Sequence, residues 1–195
     1  EDNPEFSSVD GILFNKDKTV IVRYPPQKTN ATYTLPNGVL RIGNNAFCDC
    51  RGLTSVIIPN GITSIGQYAF SGCDGLSTIE IPNSVTEIGM LAFQFCDGLT
   101  TFEIPNSITE IRMQTFDNCW NLTSVTIPNS VTKINETAFC ECRNLKTVSF
   151  NTNAIGTVFA GNASIEEVIA GDLVTIIPDG AFLGCYNIKT IKIPE

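Results

Sequence analysis

The chain has 195 residues, a formal net charge of −8 and no histidine. The acidic balance argues against nucleic acid, which needs a basic stripe, and against anionic membrane surfaces. No apolar run approaches the ~20 residues of a membrane helix, and the lack of histidine removes the commonest general base and metal ligand.

The first segment, to about Thr29, does not match the rest of the chain. Within it, Gly11 to Phe14 and Thr19 to Tyr24 are β-prone runs around the polar Asn15 to Lys18, the pattern of a hairpin. Pro25 and Pro26 stop the second run. A solenoid needs a covered end, so residues 1–29 are expected to be a β-hairpin cap. Glu1 is no initiator, so the chain is expected to be processed or cut; removal of a signal peptide would account for it.

From Asn30 the chain is written as copies. Units start near 30, 53, 76, 99, 122, 145, 165 and 188, and the copy from Leu53 reads LTSVIIPNGITSIGQYAFSGCDG. The period of 23 residues, headed by L-x-x-[VIF]-x-I, is that of a leucine-rich repeat. Apolar residues at the first, fourth and sixth places point inward from a short strand. The Pro-Asn beyond them stops the strand and turns the chain. The [VI]-T-x-I run is a second extended stretch. The segment around Ala-Phe is expected to form a short helical or 3₁₀ turn that drops its Phe inward. Phe47, Phe70, Phe93, Phe116, Phe139 and Phe182 should then form one column. The copy from Leu145 to Ser164 has 20 residues and lacks the Pro-Asn, the Ala-Phe and the Cys. The copy from Ile188 is cut off at Glu195, which leaves an uncapped sheet edge and favours truncation or self-association there.

The I-P-N-x-[VI]-T-x-I-x-x-x-A-F-x-x-C pattern resembles the BspA-like, or Treponema pallidum type, leucine-rich repeats over about Asn30 to Glu195. Asp10 to Pro25 is similar to the segment that often precedes them. The resemblance implies an α/β, mainly β, right-handed leucine-rich repeat solenoid with a parallel sheet on its concave side. Together with the hairpin, it is expected to be one structural domain, cap 1–29 and repeats 30–195. The resemblance also implies a secreted or cell-surface protein, with adhesion to host proteins or other cells among its relatives, and no catalytic motif.

Six of the eight cysteines, Cys50, Cys73, Cys96, Cys119, Cys142 and Cys185, fall three places after the repeat's Phe slot. Neighbouring rungs lie within disulfide range, but equivalent side chains point the same way, so each is read as a small buried hydrophobe. Cys48 and Cys140 are extras; Cys48-Asp-Cys50 and Cys140-Glu-Cys142 lack the spacing usual for zinc, and no metal or cofactor is expected.

The third and fifth places should point outward. They form a strip rich in Thr and Ser, including Thr78, Glu80, Thr101, Glu103, Ser124 and Thr126. Two carboxylates on adjacent rungs raise a hydrolase reading or a weak Ca²⁺ site; a solvated strand face is the plainer one. Large side chains also occupy variable places: Tyr68, Met90, Leu91, Phe95, Met113, Trp120 and Tyr186. Trp120 and Tyr186 share the place after the ladder Cys, and Trp and Tyr are favoured at binding hot spots. Asn30, Asn121, Asn135 and Asn162 head sequons, which matter only in a eukaryotic source. The functional expectation is a non-catalytic extracellular binding module whose strip or Trp120 edge recognises a host or microbial surface protein or glycan. The alternatives are a spacer or self-associating repeat and, remotely, a hydrolase using Glu80 and Glu103.

Overall fold

The computed structural model describes residues 3–194. The chain winds as a stack of turns, each contributing one strand to a long face and, in most turns, a second short strand. The cap holds β1 (Phe6–Val9), β2 (Ile12–Asn15) and β3 (Val20–Arg23). The long face is built from β4 (Thr32–Thr34), β6 (Ser55–Ile57), β8 (Thr78–Glu80), β10 (Thr101–Glu103), β12 (Ser124–Ile127), β14 (Thr147–Phe150), β15 (Glu167–Ala170) and β16 (Thr190–Lys192). The short strands are β5 (Arg41–Ile42), β7 (Ser64–Ile65), β9 (Glu87–Ile88), β11 (Glu110–Ile111) and β13 (Lys133–Ile134). Repeat strands pair in parallel and in register, for instance Val56 with Ile79 and Val125 with Val148.

The core is a set of columns. Phe47, Phe70, Phe93, Phe116 and Phe139 stack with their planes within 4° and their centroids 5.0–5.6 Å apart. Leu53, Leu76, Leu99, Leu122 and Leu145 form a second buried column. Each turn hides its apolar wall only against the next one, so equal turn lengths are what make the core continuous.

Three expectations need correction. First, no helix occurs among the described residues. The Ala-Phe segment is a string of overlapping turns. Ala46, Cys48 and Cys50 donate their N–H three residues back, to Gly43, Asn45 and Phe47. The alternate N–H groups of Asn45, Phe47 and Asp49 leave the turn and bond Gln67, Ala69 and Ser71 of the next rung at 2.7–2.9 Å. A helix would consume every N–H internally. Here the backbone is left-handed two places before and two after the Phe, at Asn45 and Asp49, Tyr68 and Gly72, Leu91 and Phe95, and Gln114 and Asn118. The turns are thereby a third hydrogen-bonded face.

Second, the repeat reaches back into the cap. Tyr24, 23 residues before Phe47, occupies the head of the Phe column with its ring 5.4 Å away. Its backbone N–H bonds Ala46 O at 2.7 Å, and its carbonyl accepts Cys50 Sγ. The β2–β3 hairpin is present, but β1 extends it, and β3 continues in parallel into β5.

Third, the short copy keeps the column. Phe159 stacks 5.6 Å from Phe139 and 6.2 Å from Phe182, so Val158-Phe159 fill the Ala-Phe places. The three missing residues cost this turn its second strand, and among the described residues β13 has no partner beyond β11. Side-chain amides take over: Asn151 Oδ1 accepts Leu173 N, and Asn153 Oδ1 accepts Thr175 N and Ile176 N.

The long face is also interrupted. β4–β6–β8 form one sheet and β10–β12–β14–β15–β16 another, and the second-strand ladder stops at the same joint, between β9 and β11. Thr123 N bonds Thr100 O, and Ser77 N bonds Thr54 O. Among the described residues no such bond joins Thr100 N to Ser77 O. The turn face stays intact there, through Leu91 N to Met113 O, Phe93 N to Thr115 O and Phe95 N to Asp117 O. The difference lies in the fourth place of the repeat. It holds Ile79 and Val125 in the two adjoining copies, Val56 and Val148 in the next ones, Tyr33 in the first copy against the cap, and Phe102 here. The Phe102 ring lies 5.1 Å from Phe93 and 4.6 Å from Phe116, and the Phe93–Phe116 spacing is the widest of the regular copies. A larger side chain in the layer between the strands holds the two rungs apart.

Candidate functional site

The cysteine column is structural in a more specific way than a filler. Cys73, Cys96, Cys119, Cys142 and Cys185 each donate Sγ–H to the carbonyl of the Phe 26 residues earlier, at 3.0–3.1 Å. In most turns that carbonyl also accepts the backbone N–H three places on, as Phe47 O does from Cys50 N, so the thiol fills the second lone pair of a buried acceptor and ties it to the following rung. All eight cysteines are free thiols. Burial pushes Cys50 and Cys142 up to about 12 and holds Cys96 and Cys119 well above the ordinary thiol range. In the short copy Asn162 stands in the cysteine place, and its Nδ2 donates to Cys142 O at 3.1 Å. Of the two extra cysteines, Cys48 is half-buried and Cys140 exposed. Cys48 and Cys50 address different partners, Asp49 Oδ2 and Tyr24 O, rather than a common point.

The outward strip is a register of paired places. Thr32, Ser55 and Thr78 form one row before the joint, and Thr101, Ser124, Thr147, Glu167 and Thr190 continue it afterwards. The row beside it runs Thr34, Ile57, Glu80, then Glu103, Thr126, Ser149, Ile169 and Lys192. Thr78, Glu80, Thr101, Glu103 and Thr126 are exposed and Ser124 is half-buried. Glu80 and Glu103 face each other across the interrupted joint, in a shallow groove of about 420 Å³ that also involves Thr78, Thr101, Asn83 and Asn106. Both carboxylates are exposed, in contrast to Asp117, which is buried on the turn face. Asp117 went unnoticed in the sequence because its place varies from turn to turn. It accepts from Gln94 Nε2 at 2.8 Å, Asn118 Nδ2 at 2.9 Å and Gln114 Nε2 at 3.3 Å, so it ties two rungs together.

The turn face carries the large residues at variable places. Leu91 is buried and belongs to the core. Phe95, Met113, Trp120 and Tyr186 are exposed, by 43, 39, 51 and 88%. Trp120 is held: its backbone N–H donates to Asp97 Oδ1, and Nε1 donates to Asn118 Oδ1 at 3.2 Å. Tyr186 stands on the last full turn, where Leu183 is also exposed. Sequence reasoning picked these residues by size. The backbone conformation that sets Phe95 apart has no signature in its own identity.

A parallel-sheet solenoid with strands on one face, turns on the other and a Phe column between is the architecture of a leucine-rich-repeat protein. The BspA type leucine rich repeat region, in 6 copies, matches residues 27–146 and 109–195, and the chain belongs to that family. Among proteins of curated function none matches it. The fold is similar to a leucine-rich repeat protein from Eubacterium ventriosum, with 27% identity and a TM-score of 0.82 over 99% of this chain and 51% of that one. It is also similar to the T. pallidum leucine rich repeat protein, with 30% identity and a TM-score of 0.74 over 90% of this chain and 86% of that one. A leucine rich cell surface protein from Faecalibacterium prausnitzii is 27% identical, with a TM-score of 0.51 over 96% of this chain and 39% of that one. The chain thus spans about half the length of the E. ventriosum protein.

Proposed function

We propose that the protein is a non-catalytic, extracellular binding module of adhesin type, recognising a protein or glycan on a host or microbial surface. The observation that carries this reading is the outward row of Thr78, Thr101 and Ser124 beside Glu80, Glu103 and Thr126, which runs over two in-register sheets and the groove between them. Short polar side chains at fixed spacing offer many weak contacts to one extended ligand, and multipoint recognition needs no bond-making chemistry. The cell-surface name of the F. prausnitzii relative supports the location. Residues 1–29 act as the cap and 30–195 as the repeats of one body. The test is a broad array of mucosal proteins and glycans, probed with the native chain and with a T101K/T126K variant. Binding lost in the variant supports the strip; binding indifferent to it, and to replacement of Trp120 and Tyr186, removes the reading.

A second reading is self-association through the turn that carries exposed Leu183 and Tyr186. Light scattering across concentrations decides it, since a simple binder or spacer stays monomeric. The hydrolase reading ranks behind both, because Glu80 and Glu103 are exposed in a shallow groove that does not enclose a substrate.

A further inference from the structure

One exposed aromatic sits where its own backbone disfavours it. Phe95 has a φ of 55° and is 43% exposed. In the same place, two after the ladder Phe, other turns carry Asp49, Gly72, Asn118, Glu141, Gly161 and Gly184, residues that are small or polar. A bulky side chain in the left-handed region is strained; Leu91 and Tyr68 bear the same conformation two places before the ladder Phe, but Leu91 is buried and Tyr68 half-buried. Phe95 fills no core that would offset the strain.

Its surroundings point to a partner. Trp120 projects from the next turn, pinned through Asn118 and Asp97, and Met113 is exposed on that same turn. The turns to either side carry charged groups paired among themselves, Arg51 with Asp74 and Arg143 with Glu141. An aromatic centre inside a polar rim is the anatomy of a protein contact, and a pre-fixed Trp loses little entropy on binding. The rim's arginines are engaged, whereas Asp97 is in no ion pair among the described residues. The free charge beside Trp120 is therefore negative, on a chain of net charge −8.

We infer that Phe95 and Trp120 form the centre of a docking site for a basic segment of a partner protein. An Arg or Lys of the partner stacks on the Trp120 face beside Asp97, and an apolar neighbour packs on Phe95. The inference rests on the binding-module reading but uses the turn face instead of the strand strip.

Trp120 is the chain's one tryptophan, so its emission reads the site directly. The probes are synthetic peptides alternating Leu with Arg, with Glu or with Ser, and chitin and mannan oligosaccharides. The expected result is a saturable emission change with the Arg peptide alone, weakened about tenfold by F95G and by D97N. Glycine suits a positive φ, so F95G should also keep its thermal midpoint or raise it by about 2–4 °C. A lowered midpoint in F95G would make Phe95 a structural residue and overturn the proposal. Equal response to the Glu peptide, no saturable response to the Arg peptide, unchanged affinity in F95G, or a response to an oligosaccharide alone would each overturn it as well. Array binding that survives these failures yet is lost in T101K/T126K leaves the strip reading standing.

Discussion

The ring of Phe102 meets that of Phe116 edge-on, 4.6 Å between centroids, at the joint where both strand ladders stop together. Two large rings share a layer that in the adjoining copies holds one ring and a β-branched residue, Ile79 or Val125. Side chains bridge the joint instead: Arg112 to Glu87 at 3.0 Å, Ser107 Oγ to Val85 O, and Asn121 Nδ2 to Asp97 O at 2.9 Å.

Replacing Phe102 by Val should let the two rungs close. Amide exchange at Thr100 and Thr101 is expected to slow to the level of Thr123 and Ser124. The lost apolar volume costs about 1–3 kcal/mol, partly offset by the regained ladder. Exchange that stays fast in the variant would mean that Phe102 is not what parts the strands.

The thiol column makes a second case. Cys119→Ala removes both a buried sulfur and the donor to Phe93 O, leaving that carbonyl unpaired in the core. A loss of about 2–3 kcal/mol is expected from denaturant midpoints, more than deleting a sulfur-sized apolar group alone would give. Cys140→Ala, at an exposed position with no ladder role, should change stability by less than about 0.5 kcal/mol.

Alkaline pH should weaken the fold through the same column. Cys50 and Cys142 titrate near 12 when folded, because burial penalises the thiolate, but near the ordinary thiol value when unfolded. Above that unfolded value the unfolded chain releases protons that the native chain keeps. Stability is therefore full below about pH 8.5 and falls by about 1.4 kcal/mol per pH unit for each such thiol up to the folded pKa. Unfolding midpoints between pH 7 and 11 check this, and a cysteine-to-alanine pair at these positions should flatten the slope. In the native state below pH 9, iodoacetamide should label Cys140 well before Cys96 or Cys119.

The 20-residue turn depends on its asparagine. Asn162 Nδ2 caps Cys142 O while its Oδ1 accepts from Ser164 N and Ser164 Oγ. Asn162→Ala should cost about 1–3 kcal/mol in thermal or denaturant unfolding. Asn162→Cys should fail to rescue it, because the shortened turn needs an acceptor toward Ser164 that a thiol supplies poorly.

The columns were readable in the sequence because they depend only on spacing. Phe70, Phe93 and Phe116 recur at the interval that one turn consumes, and any regular winding stacks them. Tyr24 and Phe159 escaped for opposite reasons. Tyr24 sits in the right column without the surrounding motif, and Phe159 is preceded by a turn three residues short. Both are recovered by asking where the next rung needs a ring. The outward places of the strip, from Thr78 to Thr126, came from strand alternation alone.

Turn length and the identity of the inward side chains were settled by the amino-acid order, since a repeat that buries one wall against its own copy leaves no other register. What the tertiary structure alone decided is where the backbone hydrogen bonds go. Whether Asn45 N–H closes its own turn or reaches Gln67 depends on a left-handed φ that many residue types adopt once the neighbouring rung is in place. The parting of β8 from β10 likewise arises from Phe102 meeting two rings of other turns, a contact that exists only after stacking. Local pattern sets the rungs; the strain on Phe95 and the opened joint appear only when the rungs must share space.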